Sequence, residues 1–218
     1  MPDTQRGFNI GVFKQAHFAK AGVLRPNLFH VEFAIPNSIQ FTNPNQTPGN
    51  ISTTVRMLEY WCEATALPGL NIQTYQAQRY GYGAIEQRPL IPAYGETMFD
   101  IMFDAESLNH QYFYLWMNSI VNTDNRDGPN SESSQVTTGG FTNRQRISAS
   151  PFELSYKEDY VADVRVYVYD KLGSVKKKIV LRDAFPKAIG DIRLAWADNN
   201  SYMRLPVAFA YTDWYLER

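Results

Sequence analysis

The sequence predicts a mostly β fold with a minor helical part (β+α). We expect an antiparallel β-barrel or sandwich of about seven or eight strands with one flanking α-helix at about 104–121. Three observations predict it. Segments of alternating apolar and polar residues recur along the chain, bounded by turns rich in Pro, Gly and Asn. One stretch alone is convincing as a helix, with apolar residues recurring at helical spacing. The composition is also aromatic, with 14 Tyr, 13 Phe and 4 Trp in 218 residues, which suits pleated surfaces and protein–protein interfaces alike.

Each element follows from local chemistry. Residues 1–25 are mixed and Gly-punctuated, an irregular arm, and 26–218 read as a single domain. In 27–35, Phe29, Val31, Phe33 and Ile35 face one way and Leu28, His30, Glu32 and Ala34 the other, a half-buried strand. Residues 36–50 are turn chemistry throughout and read as a long loop. Residues 51–66 fit a short helix or irregular turn, then a strand ending at Pro68-Gly69. The next strand, 71–80, places Ile72, Thr74, Gln76 and Gln78 opposite Gln73, Tyr75 and Ala77, and neither face is strongly apolar. Residues 81–96 read as a Gly/Pro-rich connection. A firm strand over 97–104 carries Phe99, Ile101 and Phe103 on one face. In the helix, Leu108, Tyr112, Leu115, Trp116 and Ile120 form the apolar face; Asp104 or Ser107 caps it and Glu106 suits its N-terminal dipole.

The polar run 122–150 is too long for an ordinary connector and reads as a loop insertion, either functional or ordered on binding. Beyond it, 163–170 alternates, "KLGS" turns the chain and 175–181 returns as a hairpin. Residues 184–199 give a Pro/Gly-punctuated stretch and a further strand. The closing segment 204–217 carries Leu205, Val207, Phe209 and Tyr211 on one face. Strands from both sides of the polar run are expected to share a sheet.

Composition excludes several classes of function. A content of 44% hydrophobic and 20% charged residues is that of a globular chain. The net charge of −1, from 21 basic and 22 acidic residues, gives no nucleic-acid footprint. No stretch reaches the ~20 apolar residues of a membrane span. The N-terminal "MPDTQRGFNIGVFKQAHF" lacks the apolar core of a signal peptide, so synthesis in a cytosol is expected. The single Cys62 allows no internal disulfide and sits among alternating apolar residues, as a buried structural thiol does.

No catalytic constellation emerges. Asp100 and Asp104, four apart in a strand, would lie some 13 Å apart, too far for an acid/base pair. They read as solvent-facing. "DNRDG" (124–128) hints at a calcium loop, but Thr123 and Ser134 stand where acids are required. His17, His30 and His110 have no metal spacing, "GYG" is no dinucleotide fingerprint, and Lys176–Lys178 read as a charged edge strand. The expectation is a chain with no catalytic, cofactor or metal residues.

What remains resembles a known pattern. A strand ending in "ATALPG" is followed by a polar strand and the Tyr/Gly-rich "RYGYGAIEQRPLIPAYGE". "MFDIMFD" leads into "NHQYFYLWMNSI", and "DAFPKAIGDIRLAWADN" precedes the closing "VAFAYTDWYLE". This order is similar to the tail tube proteins of contractile-tailed bacteriophages, over roughly 26–122 and 160–216. Related rings occur in type VI secretion and contractile bacteriocin tubes. The resemblance implies a small β-barrel or sandwich whose copies close into hexameric rings and stack into a tube. It implies self-association and partners in the tail sheath, baseplate and tail terminator proteins. Phage DNA would pass the lumen without specific binding, in a virion tail. The 1–25 arm and the length of 122–150 depart from the family pattern, and a tube-initiating baseplate ring protein of the same superfamily is the alternative. From a different class, a monomeric β-sandwich binding module would use 122–150 as its ligand site.

Residues 67–94 carry the physical case for assembly. A strand polar on both faces is comfortable where one face lines a wet lumen and the other meets a neighbour; on polarity Gln73, Gln76 and Gln78 are the lumen candidates. The segment after it is oddly apolar for a solvated connection. Its Tyr80, Tyr82, Ile85, Leu90, Ile91 and Tyr94 are the expected subunit-interface residues.

Overall fold

A computed structural model describes residues 10–11, 24–41, 59–78, 81, 83–105, 107–121, 137–138, 141–143, 154–196 and 201–217. Within these, strands β1 (Phe29–Phe33), β2 (Ile39–Phe41), β3 (Cys62–Thr65), β4 (Leu70–Ala77), β5 (Glu86–Tyr94) and β6 (Thr97–Met102) precede helix α1 (Leu108–Ile120). There follow β7 (Thr137–Thr138), β8 (Phe141–Asn143), the short α2 (Lys157–Tyr160), β9 (Ala162–Tyr169), β10 (Val175–Ile189), β11 (Arg204–Ala210) and β12 (Asp213–Glu217).

Alternation sets which side of each strand faces inward. Val31 and Phe33 of β1, Val164 and Val166 of β9, and Ile179 and Leu181 of β10 are buried, as are Phe99 and Ile101 of β6 and Leu205, Val207 and Phe209 of β11. These strands form a seven-stranded antiparallel sheet in the order β1-β9-β10-β11-β6-β3, with β12 also on β10. Strands from before and after 122–150 thus share one sheet, as the sequence predicts.

The 15-residue β10 folds this sheet onto itself. Its first half pairs with β9 and β12, its second with β11. Between them the register slips at Leu181/Ala184, around Asp183, which takes a φ of 50°. A bulge is a standard way for a strand to turn from one layer into the next. The partner strand breaks at the same level: the Thr212 amide donates to the Arg182 carbonyl (3.0 Å) between β11 and β12. Lys157 clasps the corner, its Nζ donating to Asp183 Oδ2 (2.7 Å) and lying 2.9 Å from Thr212 Oγ1.

The two layers meet on Phe33. Its ring lies edge-on to Phe99 (5.4 Å) and Phe113 (5.8 Å) and tilted against Phe209 (5.7 Å). Helix α1 adds Tyr112, Phe113, Leu115 and Trp116 to the core, and Trp116 Nε1 donates to the Tyr160 carbonyl at 2.7 Å. Asp104 caps this helix: its two carboxylate oxygens accept from the amides of Leu108 (2.9 Å) and Asn109 (3.1 Å). Ser107, the other expected cap, sits in the left-handed region (φ 62°) and makes no side-chain cap bond. Glu106 lies outside the described residues.

The structure corrects several expectations. Residues 81–96 are no connection: Glu86–Tyr94 is a strand paired along β4. Pro89 and Pro92 hid it, because proline is tolerated only where a strand has a free edge, and β5 pairs with β4 alone. The loop predicted at 36–50 and the polar run at 122–150 contain β2, β7 and β8, which form a small sheet in the order β2-β8-β7. The remaining residues of both runs, and most of the 1–25 arm, lie outside the described residues. Asp104 is not a solvent-facing strand residue, because its carboxylate is engaged by the helix amides. Lys178 is not on an edge either. It lies between β9 and β12, pairing with Glu217 at 2.7 Å and standing 5.3 Å over the Tyr167 ring.

Candidate functional site

The sequence between β3 and β6 builds a two-stranded hairpin that leaves the sandwich. Among the described residues strands β4 and β5 pair only with each other, from Leu70 opposite Tyr94 to Ala77 opposite Glu86. At about 3.4 Å per residue the eight residues of β4 reach roughly 27 Å. Only Ala77 and Ala93 are even partly buried. Its base is fixed to the body by three contacts. Trp214 Nε1 donates to the Gly69 carbonyl (3.2 Å), Tyr94 meets Tyr211 edge-on (6.4 Å), and Lys187 pairs with Glu96.

Alternation and register divide the hairpin into two faces. Leu70, Ile72, Thr74 and Gln76 share one with Tyr94, Pro92, Pro89 and Gln87. Asn71, Gln73, Tyr75 and Ala77 share the other with Ala93, Ile91, Arg88 and Glu86. A bulge opposite Gln73/Thr74 leaves Leu90 as the extra residue. The first face is apolar at its base, the second mixed: Arg88 and Glu86 pair at 3.0 Å beside exposed Tyr75 and Ile91. That ion pair holds the Arg88 guanidinium above its ordinary pKa.

The sequence-derived interface residues Ile85, Leu90, Ile91 and Tyr94 all belong to this hairpin and are exposed, Leu90 by 60% and Ile85 by 54%. Tyr80 and Tyr82 lie outside the described residues. Of the lumen candidates, Gln73 and Gln76 point to opposite faces of β4, and Gln78 follows the strand's end. One hairpin face therefore cannot present all of them to one lumen. Sequence reasoning missed Leu70, Ile72 and Tyr75, exposed by 56%, 53% and 45%. The polar residues between and beside them, Asn71, Gln73, Thr74 and Gln76, make neither face of the strand read as apolar, so these three do not stand out in the sequence.

The other chemically capable groups are structural. Cys62 is buried against β6, and burial, with the Asp100 carboxylate adding, pushes its thiol up to about 12. His30 stacks on Tyr167 (4.5 Å), and Nδ1 lies 2.7 Å from the Tyr169 hydroxyl; burial lowers its pKa against an opposing pull from Glu32. His110 packs on Phe103 (5.8 Å). His17 and the 124–128 segment lie outside the described residues. Among the described residues no group of His, Cys, Asp or Glu is arranged to hold a metal, and no helix is long and apolar enough to cross a membrane.

Comparison with known proteins agrees with this architecture. The family model described as "phage tail tube protein" matches residues 24–217. No curated protein matches the sequence. Among solved structures, a chain of the anti-feeding prophage baseplate, determined by cryo-electron microscopy with six-fold symmetry, shares the fold. Its TM-score is 0.52 at 10% identity, covering 90% of this chain and 97% of that one. A chain of the anti-feeding prophage cap, a tube-terminating structure, is similar with TM-score 0.51 at 11% identity, covering 89% and 91%.

Proposed function

Since the chain belongs to the phage tail tube protein family, a structural component of the virion tail and not an enzyme, we propose that its copies form six-fold rings that stack into the inner tube of a contractile tail, the conduit for DNA ejection. The observation that carries this is the β4–β5 hairpin: a two-sided element rooted in the body, with no partner strand among the described residues and a row of exposed apolar side chains. A free-standing hairpin of this kind is marginal in water. It gains stability by being covered. At about 25 cal/mol per Å2, covering roughly a few hundred Å2 of apolar surface favours association by several kcal/mol before entropic costs.

The body supplies further joining points. Among the described residues strands β1, β3 and β12 each pair on one side only, and their other edges offer places for strands of neighbouring copies. Head-to-tail contacts that close make rings, and contacts that do not close make filaments. The near-zero net charge lets copies pack densely without mutual repulsion. It also leaves a lumen without the excess Lys and Arg that would hold DNA by counterion release. Sheath, baseplate and terminator proteins are the partners this role requires, met after synthesis in the host cytoplasm. Residues 26–218 act as one assembling domain.

Sedimentation velocity tests the role of the hairpin. The wild type is expected to form rings or larger species with rising concentration, and Ile72→Asp with Leu90→Asp to hold the chain near 25 kDa with an unchanged circular dichroism spectrum. Assembly of the double variant at wild-type concentrations would contradict the role given to the hairpin. Discrete rings that never lengthen would instead identify a tube-initiating ring protein.

A further inference from the structure

A second exposed surface lies at the opposite end of the sheet from the hairpin. The hairpin enters β6 at Thr97, which pairs with Phe209, whereas β6 ends at Met102, which pairs with Arg204. Six residues of strand separate these ends by roughly 17–20 Å. At the Met102 end, the Gly190 amide donates to the Pro206 carbonyl (2.8 Å), and the chain leaves the sheet as Asp191–Trp196. It returns through Ser201–Met203, and the Phe103 amide donates to the Met203 carbonyl at 3.0 Å.

These two segments wall a cleft of about 630 Å3, lined by Asp100, Asp191, Arg193, Leu194, Tyr202 and Arg204 among others. One wall is braced: the Tyr202 hydroxyl donates to Glu63, and Arg204 pairs with Glu63 at 2.8 Å while standing 5.2 Å from the Tyr202 ring. The other wall is not. Asp191 and Arg193 are exposed and take part in no ion pair among the described residues. Leu194 is 79% exposed, and Trp196, next to the lining residue Ala195, is fully exposed. A fully exposed Trp next to an exposed Leu is a typical anchor for a partner surface.

Building on the tail tube reading above, we propose that this cleft seats the distal half of the β4–β5 hairpin of a second copy of the chain. Two features select that occupant. The first is charge. The hairpin face with Tyr75 and Ile91 carries Glu86 and Arg88 two residues apart, and the cleft carries Asp191 and Arg193 at the same spacing. Aligned antiparallel, Glu86 meets Arg193 and Arg88 meets Asp191. The Glu86–Arg88 pair within the hairpin is solvent-exposed on both sides and is exchanged at little cost. The second is placement. Donor and seat lie at opposite ends of β6, so the contact is heterologous and repeats from copy to copy instead of closing a two-fold dimer.

The test uses the full chain with two added cysteines, Ile85→Cys and Leu194→Cys, which the antiparallel alignment places opposite each other and which are both exposed, under mild oxidation. The native Cys62 is buried and stays out of the reaction. A ladder of covalent oligomers beyond the dimer on a non-reducing gel is expected from the double variant, and none from either single variant. Assembly by sedimentation without a ladder would overturn the seat and leave the tube reading standing. A chain that neither assembles nor cross-links at any concentration would contradict both. Charge exchange gives a second readout. Arg88→Glu and Asp191→Arg should each raise the concentration needed for assembly about tenfold, and their combination should return it to within about threefold of wild type. Failure of the combination to recover would also overturn the proposal.

Discussion

Asp104 shows how much one side chain settles. Both its carboxylate oxygens are spent on the Leu108 and Asn109 amides, so Asp104→Ala is expected to cost about 1 kcal/mol, read as a lower denaturation midpoint. Phe209 is at the centre of the aromatic cluster, within 5.3–6.1 Å of Phe33, Phe99, Phe113 and Trp116, and Phe209→Ala should cost about 3–5 kcal/mol. At Gly190 a Cβ would stand 2.7 Å from Pro206 Cγ, so Gly190→Ala is expected to destabilise the fold by about 1–3 kcal/mol through overpacking. The pKa of His30 is lowered in the fold, so the neutral ring is the folded form. Its contribution is present above the ordinary His value of 6.5 and is lost as pH falls through the lower folded value. Below pH 6.5 the wild type should therefore lose stability more steeply than His30→Gln, measured by urea melts across a pH series; parallel curves would refute it. The sequence marked Phe209 and Asp104 as candidate core and cap, because period and position say so. It places His30 on the outer face of its strand but does not show its ring partners, because Tyr60, Tyr167 and Tyr169 come from distant segments.

Among the elements, legibility followed burial. Strands with one buried face, such as β1, β6, β9 and β11, announce themselves by alternation, and α1 by its apolar stripe. The hairpin has no buried face, so period alone shows half of it: β4 reads as a strand too polar to be buried, while β5, interrupted by Pro89 and Pro92, reads as a connection. The double role of β10 was invisible for another reason. Its bend rests on a positive φ at Asp183 and on Lys157 from the remote α2, and neither is written in the local pattern. An element-level prediction follows from the hairpin's isolation. Replacing residues 70–94 by a short turn should leave the thermal midpoint of the body within a few degrees of wild type while abolishing assembly; collapse of the body on this deletion would show that the hairpin belongs to the core.

At the scale of the whole molecule, one core organises two incomplete ends. A hairpin with both faces exposed projects from the Thr97 end of β6, and a mixed polar and apolar cleft, whose Asp191 and Arg193 take part in no ion pair among the described residues, lies at the Met102 end. Strands β1, β3 and β12 each pair on one side only among the described residues. The most direct measurement is negative-stain electron microscopy of the purified chain over a concentration series. Hollow tubes of stacked rings with six-fold end views, absent in Ile72→Asp/Leu90→Asp, are the predicted result. Single particles of 25 kDa at every concentration, in wild type and variant alike, would contradict self-assembly as the chain's function.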